Sequence, residues 1–327
     1  MRLRTIGLIS TLVLGVLAGP LPTEAQQAGK VYRIAYLSGN LAGIPHRVEA
    51  FRQGLRDLGY VEGKNIVIEW RSAKKRDRPA VLAELVRLKV DVIVTAGGGG
   101  LVRDAKEASS SIPIVFTQDR DPVASGFVAS LARPGGNITG LTNLASELHP
   151  KRLEILKEAF PQISRVAILW TLGQHKLAMK EVEAVGQALG IQIQSLVVTG
   201  RRLISLESAF SAISRERSDG LLVASSPSIL ASRARIIEFT AKRRLPTIYD
   251  SSLFVDAGGL MSYGADFQHL YRRVATYVEK ILKGAKPADL PVEQPRKFDF
   301  VINLKTAKQL GLTIPPEVLY RATKVIK

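Results

Sequence analysis

From residue 30 onward, short and nearly continuous apolar runs alternate with longer stretches whose apolar residues recur at helical spacing. The first kind reads as strand, the second as amphipathic helix. Residues 31–37 form such a run, and 47–58 form a helical stretch stopped by Gly59. The cycle continues with strands at 65–70, 90–94 and 112–116 and helices at 79–88, 101–108 and 122–131. Strands that are apolar on both faces need covering on both, which predicts a parallel sheet with helices packed on either side.

A break at Arg133-Pro134-Gly135-Gly136-Asn137 leads into a strand at 138–141, and a second series begins. Its helices are expected at 151–160, 176–189, 204–217 and 229–243, alternating with strands at 166–170, 191–198, 220–224 and 247–249. Beyond it come an apolar run at 258–263, a helix at 267–282, an extended stretch spaced by Pro287, Pro291 and Pro295, and a strand at 298–302. The fold class is therefore α/β, with two Rossmann-like lobes in tandem, and 327 residues suffice for two cores. The proline-rich seams fit a chain that crosses between lobes more than once.

In open parallel sheets, ligands bind beyond the carboxyl ends of the strands. In the first series those ends read Ser38-Gly39-Asn40, Thr95-Ala96-Gly97 and Thr117-Gln118-Asp119; in the second they read Trp170-Thr171, Ser225-Ser226 and Tyr249-Asp250. Small hydroxyl, glycine and amide residues suit a cleft that grips a small polar ligand, and the same residue types also cap helices. Gly97-Gly98-Gly99-Gly100 follows a strand and opens a helix, so it is either a flexible turn or an amide cradle for an anion such as a carboxylate. Trp170 is either an aromatic wall of the cleft or packing beneath a loop. No catalytic residue, metal ligand or cofactor is expected: His46, His149, His175 and His269 lack metal spacing, and no nucleophile elbow occurs.

The net charge of +17 calls for a nucleic-acid reading, but the N-terminus argues against it. Arg2 and Arg4 precede an apolar run at 6–17, then Gly19, Pro20 and Pro22, and a small residue at Ala25. This predicts a secretory signal peptide over 1–25, cleaved near Ala25, with a retained anchor as the alternative. Losing two arginines and one glutamate takes the charge only from +17 to +16. An exported protein meets no chromosome, and its basic residues are scattered without stacking aromatics between them. Solvated surfaces account for most of them, leaving room for attraction to an anionic membrane or ligand. Without cysteine there is no lipid attachment through a thiol, so a periplasmic location is expected.

Several longer motifs are recognisable. Residues 49–65 (EAFRQGLRDLGYVEGKN), Ile112-Pro113-Ile114-Val115-Phe116, Asp121-Pro122-Val123, Pro134-Gly135-Gly136-Asn137-Ile138-Thr139-Gly140 and Gly258-Gly259-Leu260-Met261-Ser262-Tyr263-Gly264 resemble the ABC-transporter substrate-binding family of tryptophan/tyrosine type. So does the C-terminal run from Ile281-Leu282-Lys283-Gly284 through Leu290-Pro291-Val292-Glu293-Gln294-Pro295 to Ile302-Asn303-Leu304-Lys305-Thr306-Ala307. The resemblance implies a type I periplasmic-binding architecture with three interlobe crossovers, an N-terminal lobe of 30–141 plus 264–292 and a C-terminal lobe of 142–263 plus 293–327. It also implies a non-enzymatic, monomeric receptor that closes on a small organic ligand, such as an amino acid or aromatic carboxylate. An ABC permease in the inner membrane would be its partner, with no role for nucleic acid. An extracytoplasmic ligand sensor on the same fold is the alternative. The Gly97–Gly100 turn and Trp170-Thr171-Leu172-Gly173 depart from the Gly-Thr-Pro-like turn and the Asn-Pro that relatives often carry there.

Overall fold

The computed structural model describes residues 30–119, 121–143, 147–198 and 205–327. The predicted signal peptide over 1–25 lies outside them. The first part of the chain runs β1 (Tyr32–Ser38), α1 (Pro45–Asp57), β2 (Ile66–Ser72), α2 (Arg78–Arg87), β3 (Val92–Ala96), α3 (Gly99–Ala108), β4 (Ile114–Asp119) and β5 (Ile138–Thr142). These strands form a sheet of order β2-β1-β3-β4-β5 in which every pairing is parallel.

The second part runs α4 (His149–Ala159), β6 (Arg165–Trp170), α5 (Leu172–Ala188), β7 (Gln192–Val197), α6 (Leu206–Arg215), β8 (Gly220–Val223), α7 (Pro227–Ala231), α8 (Arg233–Lys242), β9 (Thr247–Tyr249), α9 (Ser252–Asp256) and β10 (Met261–Ala265). The tail adds α10 (Phe267–Leu282), β11 (Phe298–Asn303), α11 (Leu304–Leu310), α12 (Pro316–Tyr320) and β12 (Lys324–Ile326). The second sheet has the order β12-β11-β10-β9-β8-β6-β7, with β11 antiparallel to β10. Its parallel portion therefore repeats the doubly wound order of the first sheet. Such an order reverses direction between β1 and β3 and between β6 and β8, and the crevice at each reversal is where ligands enter.

Helix α10 leaves the second sheet only to pack on the first. Leu270, Tyr271, Val274, Tyr277, Val278 and Ile281 join Ile34, Tyr36, Phe51, Leu55, Val92 and Val94 in one buried cluster. Helices α2 and α3 cover the opposite face of this sheet through Leu82, Leu85, Leu101, Val102 and Ala105. In the second sheet, Val166, Ile168 and Trp170 face α4 and α5, and Ala167 and Leu169 face the cluster around α6 to α8. The chain thus passes between sheets three times: from β5 to α4, from β10 to α10, and from α10 to β11. The crossings are tied together by Thr142 N–H to Glu293 O at 2.9 Å, Glu293 N–H to Gly140 O at 3.1 Å and Asp266 N–H to Lys297 O at 3.0 Å.

Two sequence expectations change. The helix predicted at 122–131 does not form. Asp121 Oδ1 accepts from Ala124 N–H at 2.9 Å and opens a single turn, which Gly126 ends at φ +70°. Phe127 and Val128 then turn inward to the α2/α3 cluster. The helix expected over 229–243 is broken at Ser232 into α7 and α8. No helix of the described residues is long and apolar enough to cross a membrane.

Candidate functional site

The strand register gathers residues that lie far apart in sequence. Ser38 pairs with Ala96, Ala96 with Thr117 and Thr117 with Leu141, so one row runs straight across the carboxyl edge of the first sheet. Ser38 and Thr117 are buried on the side that α1 and α10 cover, with Ser38 Oγ accepting from Asn40 N–H at 3.3 Å. The Thr117 hydroxyl lies 3.0 Å from Tyr271 Oη and 3.2 Å from Thr95 O. Thr95 is itself buried, next to Ala96 in β3. Gly39 and Asn40 form an exposed rim, where Asn40 Oδ1 accepts from Gly43 N–H at 3.1 Å.

One glycine of the run faces a carboxylate of the chain itself. Asp119 is buried, and its Oδ2 lies 2.6 Å from the point a Cβ on Gly99 would occupy, against the first turn of α3. Its Oδ1 accepts from Asp121 N–H at 3.0 Å. A carboxylate beside a helix N-terminus is held by the free amides and the helix dipole. Asp119 Oδ2 thus lies against the first turn of α3, where Gly99 leaves it room, while Gly98 has nothing close to it.

The second sheet presents Thr171, Ser225, Ser226 and Asp250 at its own carboxyl edge. Asp250 is buried; its Oδ2 accepts from Ser225 N–H at 2.8 Å, and its Oδ1 is sealed from solvent without a hydrogen-bond partner. Ser226 is the N-cap of α7 and accepts from Ile229 N–H at 3.2 Å. Trp170 requires a correction. Its ring is fully buried in the core under α4 and α5, edge-on to His149 at 6.0 Å, with Nε1–H donating to Ser195 Oγ at 3.0 Å. With no accessible surface it is packing rather than a wall. Its neighbour Leu172 is exposed instead.

Sequence reading missed two arginines. Arg152, in the first turn of α4, is fully buried; it donates from Nε to Tyr263 O at 2.6 Å and its Nη1 lies 2.9 Å from His149 Nδ1. Burial brings its guanidinium down to about 10, with the charge of Asp250 opposing. It is thus cationic at neutral pH and compensates Asp250. In sequence Lys151-Arg152 looks like solvated charge, and only the helical phase of Arg152 with buried Leu153 and Leu156 hints otherwise.

The second is Arg47, half-buried in the first turn of α1. Its guanidinium sits 4.0 Å from the Phe267 ring centroid and 5.9 Å from that of Tyr271. Neighbouring His46 is held below its usual range, chiefly by desolvation and then by Arg47, with Asp256 of α9 pulling the other way. The start of α1 and the end of α9 therefore lie within Coulombic reach of each other, one from each sheet. A separate cavity of about 260 Å³ opens beside the crossings, at Leu141, Asp266, His269, Arg273, Glu293 and Lys297. It contains none of the strand-end residues predicted above. Among the described residues no group of three or more metal-ligating side chains occurs.

The arrangement is matched in known proteins. A curated relative, the tyrosine-binding protein of Clostridioides difficile, is 26% identical over 268 residues, spanning 81% of this chain and 76% of its own length. Among solved structures, a conserved domain protein of Vibrio cholerae superposes with a TM-score of 0.80 at 27% identity, over 90% of this chain and 100% of its own. An ABC domain from Streptococcus pneumoniae, solved in complex with L-Trp, gives a TM-score of 0.79 at 24% identity, over 90% of this chain and 99% of its own, a likeness of fold. The family model for ABC transporter substrate binding proteins matches residues 39–326. Covering nearly the whole described chain, that match and the paired doubly wound sheets place this protein in the ABC transporter substrate-binding protein family, whose members bind ligands rather than transform them.

Proposed function

We propose that the protein is an exported solute receptor of an ABC importer, which takes up an amino acid or aromatic carboxylate between its two sheets and delivers it to a membrane permease. The observation that supports this reading is that each sheet carries a polar strand-end row, Ser38 and Thr117 on one and Ser225 and Asp250 on the other, with three crossings between the sheets tied by hydrogen bonds. Ligand contacts from both sheets favour a closed state over an open one, and hinge motion at the crossings interconverts them. The tyrosine-binding relative supports the ligand class. A lobe of 30–141 plus 264–292 and one of 142–263 plus 293–327 follow from this reading, as does a monomer released near Ala25 into the periplasm.

The test is mass spectrometry of the small molecule released on denaturing gently purified protein, followed by calorimetry with aromatic amino acids and small carboxylates. Release of an amino acid or carboxylate, with saturable binding of the same compound, supports the reading. Absence of binding across that panel refutes the ligand class.

A further inference from the structure

We propose that Arg47 is the carboxylate anchor of the cleft and that Asp250 Oδ1 receives the amino group of the same ligand, so that the site selects α-amino acids by both charged ends. This deepens the receptor reading above and rests on it.

Arg47 differs from the other arginines of its helix. Arg52 pairs with Glu62 and Arg56 with Glu49, whereas no carboxylate pairs with Arg47 among the described residues. Its Nε is sealed from solvent without a hydrogen-bond partner. One face of the guanidinium rests on Phe267, which leaves its remaining N–H edge as the free donor array. A guanidinium is weakly hydrated, stacks on aromatic rings and pairs with carboxylates through two parallel N–H bonds, so this environment suits an incoming carboxylate.

Position supports the assignment. Arg47 and Phe267 stand in the first turns of α1 and α10, and further along Gly54 of α1 abuts Arg272 and Ala275 of α10. The two helices therefore run side by side in the same sense, with both N-termini next to Arg47. Their dipoles add positive potential where the guanidinium already sits. Nearby Tyr271 contacts Thr117 of the strand-end row, so the cation lies beside that row.

The charges on the opposite wall are matched except for one acceptor. Arg152 compensates the charge of Asp250, and Ser225 N–H satisfies Oδ2, but Oδ1 remains buried and without a donor. An orphaned carboxylate oxygen is costly to bury, and an ammonium N–H from the ligand is the donor that would relieve it. Asp119, the other buried strand-end carboxylate, already accepts from Asp121 N–H. The unpaired cation on one wall and the orphaned acceptor on the other match an α-carboxylate and an α-amine.

The test uses protein freed of bound ligand by unfolding and refolding, with L-tyrosine, L-tryptophan, their carboxamides and the corresponding amines as probes in calorimetry. The expected result is that the wild type prefers acid to amide by roughly 30- to 100-fold, the size of a lost hydrogen bond to a charged group. R47Q should lose that factor for the acids and bind the amides as the wild type does. R47K, which keeps the charge but not the paired geometry, should fall between, and it carries the test should R47Q fail to fold. Methyl esters of N-acetylated tyrosine, lacking both charges, should not bind. Undiminished acid binding by a folded R47Q, or equal binding of acid and amide by the wild type, overturns the assignment while leaving the receptor reading intact. If the wild type binds none of the probes, the amino-acid receptor reading falls and takes the assignment with it.

Discussion

Trp170 separates packing from recognition most sharply, because its ring stands at a strand end yet has no accessible surface. Replacing it with alanine removes a whole buried indole from the α4/α5 face, a change that costs about 3–5 kcal/mol in a close-packed core. Replacing it with phenylalanine keeps most of the contact but deletes the 3.0 Å bond from Nε1 to Ser195 Oγ, about 1 kcal/mol, and leaves a small void. Together these bring W170F to about 2 kcal/mol, or roughly 4–8 °C in the melting transition of a domain of this size. Urea unfolding followed by far-ultraviolet circular dichroism measures the loss. Calorimetry with L-tyrosine on the folded W170F variant should show affinity within about threefold of wild type, since the ring touches the core and not the cleft. Unchanged stability together with a tenfold or greater loss of affinity would refute this placement of the ring.

Three further outcomes follow from charged groups. Arg152→Met should destabilise by about 3–5 kcal/mol, because it strands Asp250 as an uncompensated buried carboxylate; a neutral result in urea titration would show that the pair contributes nothing. Glu293 is held below the usual carboxylate range by its paired bonds to Arg273, at 2.6 and 2.8 Å, so the stability it contributes is present above about pH 4.5 and lost as pH falls through its lowered folded value. Glu293→Gln should therefore cost about 1 kcal/mol at pH 7 and progressively less as the pH falls below about 4.5, a narrowing that denaturation across that range checks. Glu147 is displaced upward, first by desolvation and then by Glu181 and by Asp121 of the first-sheet side. Its ionised form is thus disfavoured in the folded protein, and Glu147→Gln should gain up to about 0.5 kcal/mol at pH 7 and none at pH 4. Equal gains at both pH values would remove the repulsion from the account.

Much of the framework was readable from the chain because strands apolar on both faces and helices with one apolar stripe leave few alternatives. Helix α10 and strand β9 appear at the boundaries their patterns predict, and the strand ends fall where ligands enter parallel sheets. What stayed hidden depends on partners distant in sequence. Arg47 and Arg152 look alike on paper, yet one rests on a ring 220 residues away and the other is buried against strand β10, whose Tyr263 carbonyl is 111 residues away. Asp119 and Gly99 are separated by twenty residues, so nothing local announces that one packs against the other. The segment at 122–131 failed for a similar reason: its helical pattern was local, while the pull on Phe127 and Val128 came from α2 and α3.

Because α10 completes the core begun by β1 and α1, the first sheet cannot close its hydrophobic interior until residue 282 has been synthesised. Joining segments more than 200 residues apart raises contact order, and such chains fold slowly. Neither half can mature behind the ribosome while the other is still being made. The segment that joins the two sheets is thus also the one that sets when the first of them can mature.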